Sequence, residues 1–315
     1  MKGLIRGIHH ITAIAGDPQR NIEFYMGVLG LRLVKRTVNY DDPRAYHFYF
    51  GDEKGRPGTI LTFFSWPGAH RGRKGTGQAT AASFSVPERS LGSWAERLSS
   101  RGIPFNGPVP RFDEEVITLS DPDGLALELV ERAGERADDP GTDGPIPPSL
   151  AIRGIHGVTL SVEGNERTAG LLTERFGFRF KGEKGNRFRY EAEAGESGSV
   201  VDVFSLPAAN GGQVAVGTVH HVAFRTPGRQ EQSAWRNELL ESGYDVTPVI
   251  DRTYFRSIYF HEPGGVLFEI ATDSPGFSVD EPVDRLGSRL VLPAWLEPQR
   301  SRLEKILPPI RIPKP

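Results

Sequence analysis

Short apolar stretches of alternating character recur along this chain, each broken by glycine or proline, and they repeat one another. The stretch from Ile5 to Thr12, IRGIHHIT, lies without a gap over Ile152 to Thr159, IRGIHGVT. Each leads into an amphipathic segment that closes on glycine, Gly30 or Gly177, a helix C-terminal signal. Alternating strands follow from Leu31 to Val34 and from Phe178 to Phe180.

A second pair repeats in the same way. Gln78 to Pro87, QATAASFSVP, lies over Thr218 to Pro227, TVHHVAFRTP. Helices are predicted after both, from Leu91 to Arg101 and from Glu231 to Ser242, each ending in glycine at Gly102 and Gly243. Both units close on a Pro-x-Gly turn and an alternating strand, DPDGLALEL at 121–129 and EPGGVLFEI at 262–270.

The pattern therefore predicts an α+β protein of four βαβββ modules, starting near residues 5, 78, 152 and 217. Residues 131–149, polar and rich in proline and glycine, read as a linker. It separates an N-terminal half at 1–135 (modules one and two) from a C-terminal half at 151–275 (modules three and four). Residues 276–315 form a tail with one predicted helix, Pro298 to Leu307.

Composition narrows the function. Over 315 residues the net charge is −2, with 37% hydrophobic and 25% charged residues, so no basic field recruits nucleic acid or anionic lipid. No apolar run reaches the roughly 18–20 residues of a membrane span. The N-terminal segment breaks at His9-His10 and lacks a cleavage signal, so a cytoplasmic protein is the expectation. Cysteine is absent, which excludes disulfides, thiolate metal sites and a cysteine nucleophile. A homo-oligomer is left open.

Histidine carries the chemistry. Four of the eight histidines fall in two adjacent pairs, His9-His10 and His220-His221, at equivalent places in modules one and four. Neighbouring residues on a strand point to opposite faces, so one histidine of each pair should face the site and the other should not. Module three keeps His156 but has Gly157 where His10 stands, and module two has Thr80 and Ala81 where module four has His220 and His221. On the His220 side, Val222 and Phe224 read as packing against a helix. His10 and His221 are thus the site-facing pair, in a barrel closed by modules one and four. Glu269, a lone carboxylate in the apolar strand VLFEI, needs a partner or a cation and is the third candidate ligand. Two histidines and a carboxylate leave coordination positions open and suit non-haem Fe(II) oxygen chemistry, although Mn and Zn accept the same donors. Glu128 occupies the equivalent place in module two, opposite Ala81 and Gly157, and reads as the structural remnant of a site without metal. His47, between Tyr46 and Phe48, reads as structural, and Gly72-Arg-Lys-Gly75 as a charged loop.

This arrangement resembles the vicinal oxygen chelate superfamily of glyoxalases and extradiol dioxygenases. The split of ligands between the first and last modules resembles the Fe(II) hydroquinone-type ring-cleaving dioxygenases in particular. VKRTVNY at 34–40, YHFYF at 46–50, GNRFRY at 185–190 and PGGVLFE at 263–269 extend the likeness over nearly the whole chain. The resemblance implies two curved-sheet barrels, the metal barrel built from modules one and four. It implies His10, His221 and Glu269 as metal ligands, with His9 and His220 beside the metal. Arg252 and Tyr259 would lie around the substrate, with Arg256 an alternative to Arg252. The cofactor would be Fe(II), with Mn(II) left open, and the substrates a small aromatic diol and O2. Two proton transfers are needed, for which His220 and Tyr259 are the candidates. His9 would orient a ligand and Arg252 would steady a phenolate. The competing expectations are a catechol extradiol dioxygenase, a non-redox isomerase or lyase of the glyoxalase type, and a metal-free protein that sequesters an aromatic compound. The glyoxalase type calls for a second carboxylate ligand, which GTILTFF at 58–64 does not offer.

Overall fold

The computed structural model describes residues 3–132, 146–193 and 198–313; the central part of the predicted linker, 133–145, lies outside the described residues. Module one supplies strands β1 (Ile8–Ala15), β2 (Arg32–Val38), β3 (Tyr46–Gly51) and β4 (Ile60–Ser65). Module two supplies β5 (Gln78–Pro87), β6 (Phe105–Arg111), β7 (Glu114–Ser120) and β8 (Ala126–Arg132). Module three supplies β9 (Gly154–Val162), β10 (Phe178–Lys184), β11 (Arg187–Ala192) and β12 (Val200–Ser205). Module four supplies β13 (Val219–Thr226), β14 (Ile250–Asp251), β15 (Arg256–His261) and β16 (Leu267–Thr272).

These strands form two curved eight-stranded sheets. One runs β14-β15-β16-β13-β1-β4-β3-β2 and the other β10-β11-β12-β9-β5-β8-β7-β6. Modules one and four therefore share the first sheet, and modules two and three share the second, as the repeat predicted. An antiparallel pair lies at the centre of each sheet, β1 with β13 and β5 with β9, flanked by parallel partners.

The helices cover the outer faces. α1 (Pro18–Ile22) starts on Pro18 behind Asp17, whose side chain accepts the Arg20 backbone N–H at 2.8 Å. It widens into a π-helical turn over Glu23–Val28 and stops at Gly30, whose φ of +70° suits glycine. α3 (Glu166–Gly170) repeats this course through Leu171–Arg175 to Gly177 at φ +79°. α2 (Leu91–Ser100) buries Leu91, Trp94 and Leu98, and α4 (Arg229–Glu241) buries Gln232, Trp235 and Leu239, both at helical spacing. The main core lies between these helices and the sheets. A smaller cluster including Tyr49, Ala223, Tyr254 and Phe255 packs inside the first barrel.

The tail is fastened to that barrel. Lys35, fully buried on β2, places its ammonium 2.5 Å from both Asp280 and Glu281. The predicted tail helix is α5 (Arg300–Ile306), anchored by buried Leu303. Among the described residues no helix is long and apolar enough to cross a membrane.

Candidate metal centre

β1, β13 and β16 are neighbours in the first sheet, and they carry His10, His221 and Glu269 to one point. One ligand atom of each lies within 4.8 Å of the others. The Nε2 atoms of His10 and His221 stand 3.4 and 2.9 Å from Glu269 Oε2. Glu269 has no exposed surface, and its other oxygen, Oε1, accepts a 2.5 Å hydrogen bond from Ser257 on β15. Ser257 was not singled out in the sequence; only its pairing opposite β16 brings it to the carboxylate.

The fit to a cation rests on what these atoms lack. Glu269 Oε2 and His221 Nε2 are buried without a hydrogen-bond partner, although they face each other at 2.9 Å. Such orphans are costly unless something shared satisfies them. Burial disfavours the Glu269 carboxylate, but His10 and His221 more than offset this and hold it well below the usual range. Burial lowers His221 in spite of the carboxylate beside it, so its imidazole is neutral. An anionic oxygen and two imidazole nitrogens converging in a buried pocket form a donor set for a divalent metal.

The other histidine of each pair does not point away. In each strand of the β1–β13 ladder one residue is extra. His9 sits unpaired between Ile8 and His10, and His220 sits unpaired between Val219 and His221. A bulge of this kind breaks the two-residue alternation. Both histidines of each pair therefore turn to the inner face. His9 Nδ1 lies 2.9 Å from His10 Nδ1, and His220 Nδ1 lies 2.8 Å from His221 Nδ1. With Nε2 of His10 and His221 kept free of protons for a metal, their Nδ1–H groups donate, and His9 and His220 accept. The expectation of opposite faces fails because it assumed an unbroken strand.

A cavity of about 270 Å³ opens beside this cluster. His10, His221 and His220 reach its wall, together with Tyr259, Arg252, His47 and the apolar Phe64, Trp66 and Leu267. Arg252 donates from Nε to the Tyr259 hydroxyl at 3.3 Å and pairs with Asp41 at 3.1 Å. Arg256 pairs with Asp251 and is absent from the wall, so Arg252 is the arginine at the cavity. Burial, then His221, depresses His220 to about 3, and burial, then Glu269, raises the Tyr259 phenol. His220 is therefore neutral and Tyr259 protonated near neutrality. His9 is buried against Phe255 and is not on the wall.

His47, read as structural, is on the wall. It lies 2.7 Å from Thr62 Oγ1 through Nε2 and 3.0 Å from the Tyr49 hydroxyl through Nδ1, and burial lowers it well below its ordinary value. Thr62 holds in module one the place of Glu269 in module four, because β4 pairs with β1 as β16 pairs with β13. A second carboxylate ligand is thus absent from that position.

Two facing modules, bulged histidine pairs and one buried carboxylate define a metal-capable barrel of the glyoxalase kind. The model of the Glyoxalase/Bleomycin resistance protein/Dioxygenase superfamily matches residues 7–129 and 154–270, and the chain belongs to that superfamily. It is 47% identical to the Bacillus subtilis protein named "Putative ring-cleaving dioxygenase MhqO", over 97% of both chains. It is 34% identical to a chlorohydroquinone/hydroquinone 1,2-dioxygenase of Sphingobium indicum, over 95% of both chains. The crystal structure of a Bacillus subtilis protein described as a "putative dioxygenase" superposes with a TM-score of 0.95 at 46% identity, covering 99% of each chain.

Proposed function

We propose that this chain is an Fe(II)-dependent ring-cleaving dioxygenase that opens hydroquinone-type, para-dihydroxylated rings with O2. The observation that carries the reading is the His10, His221 and Glu269 cluster beside a cavity lined by polar side chains on one part and by Phe64, Trp66, Phe255 and Leu267 on another. The relatives named as ring-cleaving and hydroquinone dioxygenases support the same class. His10, His221 and Glu269 would hold the metal. A bound ferrous ion would acidify a ring hydroxyl and let the ring pass electron density to O2.

The chain's own groups do the rest. Phe64, Trp66 and Leu267 exclude water and receive the ring, while Arg252 balances the charge of an ionised hydroxyl. His220 accepts at Nδ1 from His221, so its neutral form carries a proton on Nε2. That N–H, like the Tyr259 hydroxyl, donates to oxygen atoms in the cavity, and the proton of the ionised ring hydroxyl leaves to solvent. His9 meets the Nδ1 side of His10 and fixes its orientation. The domain halves at 1–135 and 151–275 would then act as one unit, since each barrel draws on both.

The test is oxygen uptake after anaerobic loading with Fe(II) or, in parallel, Mn(II). Hydroquinone, methylhydroquinone and catechol are compared, with Glu269→Gln as control. Uptake with a ring-opened chromophore from the para-diols, absent in the variant, is expected. Uptake with catechol alone would discard the para-diol assignment. No uptake despite stoichiometric metal would discard the dioxygenase.

A further inference from the structure

The second barrel holds a cavity of its own, about 410 Å³, within the roughly 300–1,000 Å³ of small-molecule sites. It stands where the first barrel has its site. The central ladder of the second sheet carries the same two bulges, at Thr80 and His156, which makes Thr80 the counterpart of His220 and Ala81 that of His221. Val200 pairs with Gly157 as Ile60 pairs with His10, so Phe204 corresponds to Phe64 and its cross-strand neighbour Arg187 to His47. Thr80, Ala81, Phe204 and Arg187 all line the second cavity.

Its chemistry differs from that of the first. Glu128, the counterpart of Glu269, is already compensated: Arg111 lies 2.6 Å away, and Ser83 donates to it at 2.5 Å. Inside, Arg189 and Arg187 share Asp202, and Arg189 and His156 share Glu114. Among the described residues Arg187 donates only from Nη1, to Thr159 and Asp202. Its Nε and Nη2 groups make no hydrogen bond among the described residues, and it is on the wall.

Two more cations stand at the mouth, Arg73 and Lys74, and neither forms an ion pair among the described residues. The loop that carries them is held in place by backbone hydrogen bonds. Arg73 and Gln213 exchange backbone hydrogen bonds at 3.0 and 2.8 Å, and Gly72 donates to Val216 at 2.9 Å. A Cβ on Gly75 would meet Asn210 O at 2.3 Å, and one on Gly72 would meet Thr218 at 2.6 Å. The glycines of Gly72-Arg-Lys-Gly75 thus let two loops lie in contact and set the backbone of Arg73 and Lys74 beside the cavity. Among the described residues no carboxylate lines the wall.

We infer that this cavity is a second binding site, for a small organic carboxylate with an apolar or aromatic body. Arg73, Lys74 and Arg187 receive the carboxylate, and Phe204 with Leu206 receives the body.

Calorimetric titration of the purified protein with benzoate, and with neutral benzamide of the same shape, tests this. Wild type should bind benzoate saturably and benzamide at least about tenfold more weakly, as a loss of charge-assisted hydrogen bonds implies. The double variant Arg73→Met/Lys74→Met alters side chains exposed at the mouth, so its melting temperature should match wild type. It should lose about tenfold or more in benzoate affinity. Glu269→Gln, which alters only the first barrel, should bind benzoate as wild type does. Four results would each overturn the inference: no saturable benzoate binding by wild type, equal binding of benzamide, undiminished binding by the double variant, or loss of binding in Glu269→Gln.

Discussion

Replacing Glu269 by Gln separates the role of this carboxylate in metal binding from its role in folding. The side chain keeps its shape, and its Oε1 still accepts from Ser257 at 2.5 Å. Its new amide stands where Oε2 was, 2.9 Å from His221 Nε2 and 3.4 Å from His10 Nε2, with one N–H for each. Two buried orphans, Glu269 Oε2 and His221 Nε2, disappear. An unsatisfied buried group costs about 1–3 kcal/mol. Loss of the attraction to His10 and His221, which holds the carboxylate below its usual range, offsets part of this gain. The metal-free variant should therefore be more stable than metal-free wild type by about 1–3 kcal/mol. It should also lose the stabilisation that a bound metal gives, because the anionic donor is gone. The assay is urea denaturation of chelator-treated proteins, with and without Mn(II), or Fe(II) under argon. A variant that is destabilised when metal-free, or that gains as much stability from metal as wild type does, would refute the reasoning.

Other consequences are open to measurement. His9→Ala and His220→Ala should each weaken metal affinity about 10–100-fold, read by competition with a chelating dye, since each removes the partner of a ligand's Nδ1. Of the two, only His220→Ala should also lower turnover at saturating metal, because only His220 reaches the cavity. Burial, with Asp123 nearby, raises Asp121 from 3.8 to about 6. The native state then binds more protons than the unfolded chain between those values, so stability should fall by on the order of 3 kcal/mol as pH rises through that window. Asp121→Asn, which can still accept from the Leu125 backbone N–H and can meet Tyr25, should flatten that slope in urea titrations from pH ~4 to ~7. Lys35→Met takes the close ammonium from buried Glu281, leaving it the exposed Arg289 at 3.7 Å, and should cost about 3–5 kcal/mol, with faster proteolysis of the tail beyond residue 276.

Much of this protein was legible in one dimension. Hydrophobic period and glycine placement mark the elements, because a strand or helix must alternate in step with the face it buries. The repeat marks which modules are equivalent. Scarce histidines at equivalent places, with a lone glutamate in an apolar strand, mark the three metal-capable residues, because an uncompensated charge does not persist inside a core. What the tertiary structure alone decided depends on contacts between distant segments. The bulges arise from the register of β1 against β13, two strands more than two hundred residues apart, and they turn His9 and His220 inward where alternation sends them away. Ser257 and His47 reach the site only through strand pairing. Arg73 and Lys74 become the mouth of a cavity only because their loop packs on residues 210–216. A period is a local property of the chain. Register, and with it the chemistry of a shared barrel, belongs to the pair of strands that meet.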